Sequence, residues 1–173
     1  MATHLRFGQK LPKFNPAVLP QEYMPRMADV ADDNHPKHYL IPGKIHVSAT
    51  PAAITTIVGT GVTLCLCDPV KKIGGASHFT LPVHAEASCK ALLESLVKLG
   101  ADLHNLEAKV FGGSQPTVTF SNSTDWLGNR NVEAALRFLG ERGIRLGDTE
   151  TGGTQGRKLI FQTDDGKAWA QQL

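Results

Sequence analysis

Hydrophobic positions along this chain recur with two periods. Between His84 and Leu99, Ala85, Cys89, Leu92, Leu93, Leu96 and Leu99 return at helical spacing, and Gly100 stands where a C-terminal cap belongs. A second helix is expected from about Asn131 to Glu141, with Val132, Ala135, Leu136 and Leu139 on one face and Gly143 just past its end. Elsewhere the pattern is that of strands. Lys44–Ser48 follows the Pro42-Gly43 turn, and a long β-branched segment, Ile54–Cys67, runs up to Asp68-Pro69. Ser77–Leu81 is a short strand after a turn at Gly74-Gly75, and Leu106–Phe111 and Thr117–Phe120 flank Gly112-Gly113. Ile144–Leu146, Lys158–Thr163 and Lys167–Gln171 complete the set, the last two joined as a hairpin through Asp164-Asp165-Gly166. The sum is an α+β domain, rich in strands, with two main helices.

Five of the ten prolines (Pro12, Pro16, Pro20, Pro25 and Pro36) fall near the N-terminus, beside Asp29, Asp32, Asp33 and Asn34. Proline removes ladder donors and interrupts helices. Residues 1–37 therefore read as an irregular arm, and residues 38–173 as one domain. Of the 173 residues 41% are apolar and 20% charged, which suits a packed core. Lys plus Arg (18) nearly balances Asp plus Glu (16), without the basic cluster of a nucleic-acid binder. The uncharged stretch from Ala49 to Cys67 is broken by Thr, Gly and Ser, so it reads as buried strand and no membrane insertion is expected. No signal pattern opens the chain, and three cysteines without zinc-type spacing point to the cytoplasm.

Candidate chemistry narrows quickly. His35 and His38 lie in or beside the arm, His4 and His46 are isolated, and no carboxylate or thiol stands beside them at ligand spacing, so no metal and no cofactor is expected. Cys65 and Cys67 are two apart, hence on one face of a strand, a spacing that suits core packing better than redox exchange. Val58-Gly59-Thr60-Gly61 and Thr151-Gly152-Gly153-Thr154 lack the Gly-Lys-Ser/Thr of a phosphate loop. His78 differs, because it sits in or beside a buried strand. There it is either a satisfied core residue or a general base with a nucleophile in reach.

Several blocks of the chain, taken in order, form a longer pattern. They are His38-Tyr39-Leu40-Ile41-Pro42-Gly43, Thr55-Thr56-Ile57-Val58-Gly59-Thr60-Gly61-Val62, Cys67-Asp68-Pro69-Val70 and Ile73-Gly74-Gly75-Ala76-Ser77-His78-Phe79, followed by Leu81-Pro82. Ala108-Lys109-Val110-Phe111-Gly112-Gly113, Gly128-Asn129-Arg130-Asn131-Val132 and Thr151-Gly152-Gly153-Thr154-Gln155-Gly156-Arg157-Lys158 continue them. Together these blocks resemble the CheD family of bacterial chemotaxis, and the resemblance implies a layered α/β/β sandwich of mainly antiparallel strands, like a cysteine hydrolase. It also implies cytoplasmic deamidation of chemoreceptor glutamines to glutamate and ammonia. The partners would be methyl-accepting chemoreceptor cytoplasmic domains and a CheC-type phosphatase.

In that family a thiolate attacks the glutamine amide, an imidazole serves as base, and backbone N–H groups at a tight turn hold the oxyanion. Carried over residue by residue, His78 takes the base position, Thr55 the supporting threonine, and Gly59 and Thr60 the turn that meets substrate. The nucleophile's position is Gly61, where glycine replaces cysteine. Glycine has nothing with which to attack, and loss of a nucleophile costs on the order of 10⁶ in turnover. Cys65 lies four residues on, roughly 13 Å away in a strand. Two readings stand: a deamidase in lineage, and a CheD-like binding module that no longer hydrolyses.

Overall fold

The computed structural model describes residues 34–115 and 126–173. The strand expected at Thr117–Phe120 and all but the end of the expected N-terminal arm lie outside the described residues. The elements in chain order are β1 (Lys37–Tyr39), β2 (Ile45–Ser48), β3 (Ala53–Val58), β4 (Val62–Asp68), β5 (Ile73–Phe79) and α1 (Pro82–Lys98). There follow β6 (Glu107–Gly112), α2 (Leu127–Glu141), β7 (Arg145–Thr151), β8 (Arg157–Gln162) and β9 (Ala168–Gln172).

The strands form two sheets, one in the order β1-β3-β8-β9 and the other β2-β5-β4-β6-β7. Pairing is antiparallel except for β1 with β3 and β6 with β7. Both helices cover the outer face of the five-stranded sheet. Ala85, Cys89, Leu92 and Leu96 of α1 and Ala135, Phe138 and Leu139 of α2 pack on Val62, Leu64, Leu66 and Val110. The second core lies between the sheets, where Ile54, Val58, Leu159 and Phe161 meet Cys65, Cys67, Ala76 and Phe111. This is the α/β/β layering expected, with two helices and mostly antiparallel strands.

Strand β4 is buried on both faces, and its alternation assigns each face to one core. Val62, Leu64 and Leu66 go to the helices; Cys65 and Cys67 go to the four-stranded sheet. Truncating a side chain such as Leu64 would cost about 2–5 kcal/mol, since close-packed neighbours collapse only partly into the space left.

Two expectations need correction. The run Ile54–Cys67 is not one strand but two, β3 and β4, in different sheets, and Gly59-Thr60-Gly61 carries the chain between the layers. Gly74-Gly75 is not a turn but part of β5. A Cβ at Gly74 would lie 2.2 Å from the Thr163 carbonyl oxygen, and one at Gly75 2.5 Å from that of His46. Those glycines permit close backbone approach on both sides of the strand rather than a change of direction.

Candidate active site

His78 comes from β5, opposite Thr63 on β4. The register places it on the face that carries Cys65, Cys67 and Ala76, so the imidazole points toward the other sheet. Its backbone is tied on the remaining side: the His78 N–H donates to the Lys44 carbonyl at 3.1 Å, and the Gly43 N–H donates to the His78 carbonyl at 2.7 Å. From the facing sheet, Thr56 reaches across. Ile54, Thr56 and Val58 form the inward face of β3, while Thr55 and Ile57 point the other way.

Thr56 Oγ1 donates to the Leu40 carbonyl at 2.7 Å and lies 3.1 Å from His78 Nδ1. A hydroxyl has one proton, and here the backbone carbonyl takes it. Toward the ring Thr56 can only accept. The network therefore assigns the proton to Nδ1 and leaves the lone pair on Nε2. Burial lowers the His78 pKa to about 4, so the ring is neutral at neutral pH. Nε2 has no hydrogen-bond partner among the described residues and, unlike Ser114 Oγ or Asn131 Oδ1, is not sealed from solvent.

Nε2 faces Gly61. A Cβ built on Gly61 would stand 3.1 Å from it, 2.7 Å from the Phe79 carbonyl oxygen and 3.4 Å from Thr80 Cα. The crossing turn beneath is held through three successive carbonyls. Gly59 accepts from the Ser114 N–H at 2.9 Å, Thr60 from Asn131 Nδ2 at 2.9 Å, and Gly61 from the Gly113 N–H at 2.7 Å. No peptide bond is cis, and in a trans peptide C=O and N–H point opposite ways. The Thr60 N–H is thus turned away from Ser114, and the Gly61 N–H away from Asn131.

Asn131 does a second job. The same Nδ2 donates to the Thr80 carbonyl at 3.0 Å, so one buried side chain of α2 clamps the segment before Gly61 to the segment after His78. Backbone packs directly on backbone around it. Gly112 and Gly113 have φ of 114° and 68°, and a Cβ on Gly112 would lie 2.3 Å from the Gly61 carbonyl oxygen. A Cβ on Gly128 would lie 2.4 Å from that of Gly113. These glycines let β6 and the start of α2 press against the turn.

Of the residues singled out in the sequence, the structure brings His78, Gly61, Thr60 and Gly59 to one place. Thr55 is not among them. It is Thr56, one position on, that stands behind His78, because strand alternation sends the two threonines to opposite faces. That signal is present in the sequence, since Thr56 shares its parity with Ile54 and Val58. Asn131 and the Leu40 carbonyl carry no such local signal.

The three thiols stand apart from this chemistry. Cys65, Cys67 and Cys89 are buried and free. Burial pushes the Cys65 thiol far up, and burial with the charge of Asp165 pushes Cys67 up to about 12. Burial and the charge of Glu86 do the same to Cys89, also to about 12. None is a thiolate near neutral pH. Among the described residues no three His, Cys, Asp or Glu side chains gather as metal ligands, and no helix is long and apolar enough to cross a membrane. His35 instead meets Asp164 at 2.8 Å, and His38 stacks on His46 with ring centroids 4.1 Å apart.

The fold and the sequence have counterparts. A crystal structure of a Neisseria meningitidis protein of the DUF152 family superposes with a TM-score of 0.52 at 12% identity, covering 81% of this chain and 72% of that one; it shows the fold alone. The "Probable chemoreceptor glutamine deamidase CheD 1" of Anaeromyxobacter dehalogenans is 45% identical over 144 residues, 78% of this chain and 84% of its own. The "Probable chemoreceptor glutamine deamidase CheD" of Rhizobium leguminosarum bv. trifolii is 38% identical, over 75% and 76%. The family model described as CheD chemotactic sensory transduction matches residues 71–172, from the loop before His78 through β9. With that match over more than half its length and such identity to both relatives, the chain belongs to the CheD family.

Proposed function

We propose that this chain serves the chemoreceptor glutamine deamidation system, and that the cleft at Gly61 and His78 receives a receptor glutamine side chain. The observation that carries the reading is a neutral imidazole, oriented by Thr56, whose Nε2 faces the Gly61 backbone. In the deamidase reaction that lone pair takes the proton of the attacking group and returns it to the departing ammonia. The N–H groups of the Gly59–Gly61 turn stabilise the oxyanion. The cytoplasm is the setting, and a CheC-type phosphatase is a further partner.

Residue 61 limits the chemistry. Carried over from the family pattern, it is the nucleophile's position, and glycine supplies no atom to attack. Cys65, Cys67 and Cys89 offer no substitute, being buried and held as thiols. A second reading for the chain as it stands is that the cleft binds glutamine without turning it over. Incubation of the full chain and of Gly61→Cys with chemoreceptor cytoplasmic fragments, reading glutamine-to-glutamate conversion by mass, separates the two. Conversion only by Gly61→Cys supports binding without turnover. Conversion by the native chain at a similar rate places the nucleophile elsewhere.

A further inference from the structure

Resting on that reading of the cleft, we propose that the chain discriminates the amide state of its target: it retains a receptor glutamine and rejects the corresponding glutamate. A glutamine side chain presents an NH₂ donor and a carbonyl acceptor; a glutamate carboxylate only accepts. The site offers both complements. His78 Nε2, facing Gly61, is the acceptor for the NH₂, and on the role carried over from the family the Thr60 and Gly61 N–H groups are the donors for the amide oxygen.

The donors alone do not discriminate, because a carboxylate oxygen takes them equally well. Selectivity comes from Nε2. Thr56 donates to Leu40, which fixes Nδ1 as the protonated nitrogen and Nε2 as the lone pair. A carboxylate would set its own lone pairs against that one. To accommodate it, the imidazole must take up a proton, and burial opposes that charge.

The missing thiol strengthens the arrangement. In a cysteine hydrolase the thiol proton occupies the imidazole lone pair. Here nothing at residue 61 competes for it, so the lone pair is left to the ligand. The narrow space is consistent with a backbone built around glycine, since a Cβ would already stand 2.7 Å from the Phe79 carbonyl oxygen. Without hydrolysis the complex persists, and its occupancy reports how much of the receptor remains amidated.

The test uses the full chain and one chemoreceptor cytoplasmic fragment prepared in two forms, with glutamine or with glutamate at the deamidation positions. Calorimetric titration at pH 7.5 is expected to show the glutamine form binding roughly tenfold tighter or more, the scale of one buried acceptor left unpaired. Thr56→Val should collapse that ratio and Thr56→Ser should preserve it, a difference that a merely structural threonine would not produce. Equal affinity for the two forms overturns the discrimination and leaves receptor recognition standing. Binding of neither form overturns the glutamine cleft itself. Conversion of the glutamine form during titration overturns retention without turnover. Should Thr56→Val fail to fold, His78→Gln decides: its amide can donate as well as accept, so the preference for glutamine should shrink, and an unchanged ratio overturns the role of Nε2.

Discussion

Thr56 Oγ1 and His78 Nδ1 lie 3.1 Å apart, bridging the two sheets, and this contact determines which nitrogen carries the proton and leaves the lone pair facing Gly61. Thr56→Val keeps the shape and removes the hydroxyl. It leaves the Leu40 carbonyl without its donor and the ring N–H without its acceptor, at about 1–3 kcal/mol for such buried groups. Thr55→Val, on the other face of β3, should stay within about 0.5 kcal/mol of the parent. Chemical denaturation measures both. Imidazole ¹⁵N shifts should show a fixed Nδ1–H tautomer in the parent and a mixture in Thr56→Val. Equal loss from the two valine variants would remove Thr56 from its role.

A buried neutral histidine also makes stability depend on pH. The folded pKa of His78, about 4, lies below the value of 6.5 for a free side chain, so between those limits the unfolded chain binds the extra proton. The stabilisation is fully present above pH 6.5 and is lost as pH falls through about 4. The total is at most about 3 kcal/mol. Denaturation midpoints of the parent and His78→Gln between pH 7 and pH 4 test this, because the glutamine variant should lack that part of the slope. Parallel slopes would mean that other groups govern acid lability.

Asn131 illustrates what a one-dimensional reading misses. Helices are legible because burial imposes a period: Ala85, Cys89, Leu92 and Leu96 line one core. The β-branched composition of residues 53–68 is legible as strand. Its division between two sheets is not, because the glycines at 59 and 61 resemble those inside β5, and only the packing partner distinguishes a crossing from a close approach. The family pattern puts His78 and Gly61 side by side, yet points to Thr55 where alternation within β3 selects Thr56. Asn131 acts on Thr60 and Thr80 across long chain separations, and nothing local in its sequence marks it for that role.

Removing that clamp should loosen the site before it unfolds the domain. Asn131→Ala leaves two carbonyls without their donor, so a loss of roughly 1–3 kcal/mol is expected by denaturation. Hydrogen exchange should accelerate around residues 60 and 80 ahead of the amides of β4. Asn131→Asp should behave like the alanine variant, because a carboxylate cannot donate to either carbonyl. An aspartate variant as protected as the parent would show that the Nδ2 contacts do not hold the turn.

Gly61→Cys is the substitution with opposing effects. The nearest atom to a new Cβ is a backbone oxygen, that of Phe79 at 2.7 Å, so β4 and β5 must separate by a few tenths of an ångström. Overpacking of this kind costs about 1–3 kcal/mol, and Gly61→Ala should show a similar loss. The cysteine variant alone gains an attacking atom, beside an imidazole whose lone pair already points at it. Deamidation of a receptor fragment should therefore appear in Gly61→Cys and remain absent in Gly61→Ala. Its rate should stay modest, since a displacement of ~1 Å at the reacting centre can cost ~10²-fold. Activity should disappear again in Gly61→Cys combined with His78→Gln, and the mass of the fragment with time measures all three. The cysteine variant could instead be destabilised like the alanine one, convert no glutamine, and take up a thiol-directed alkylating agent no faster at the introduced thiol than at its buried cysteines. That result would show that residue 61 is a packing position rather than a vacated catalytic one.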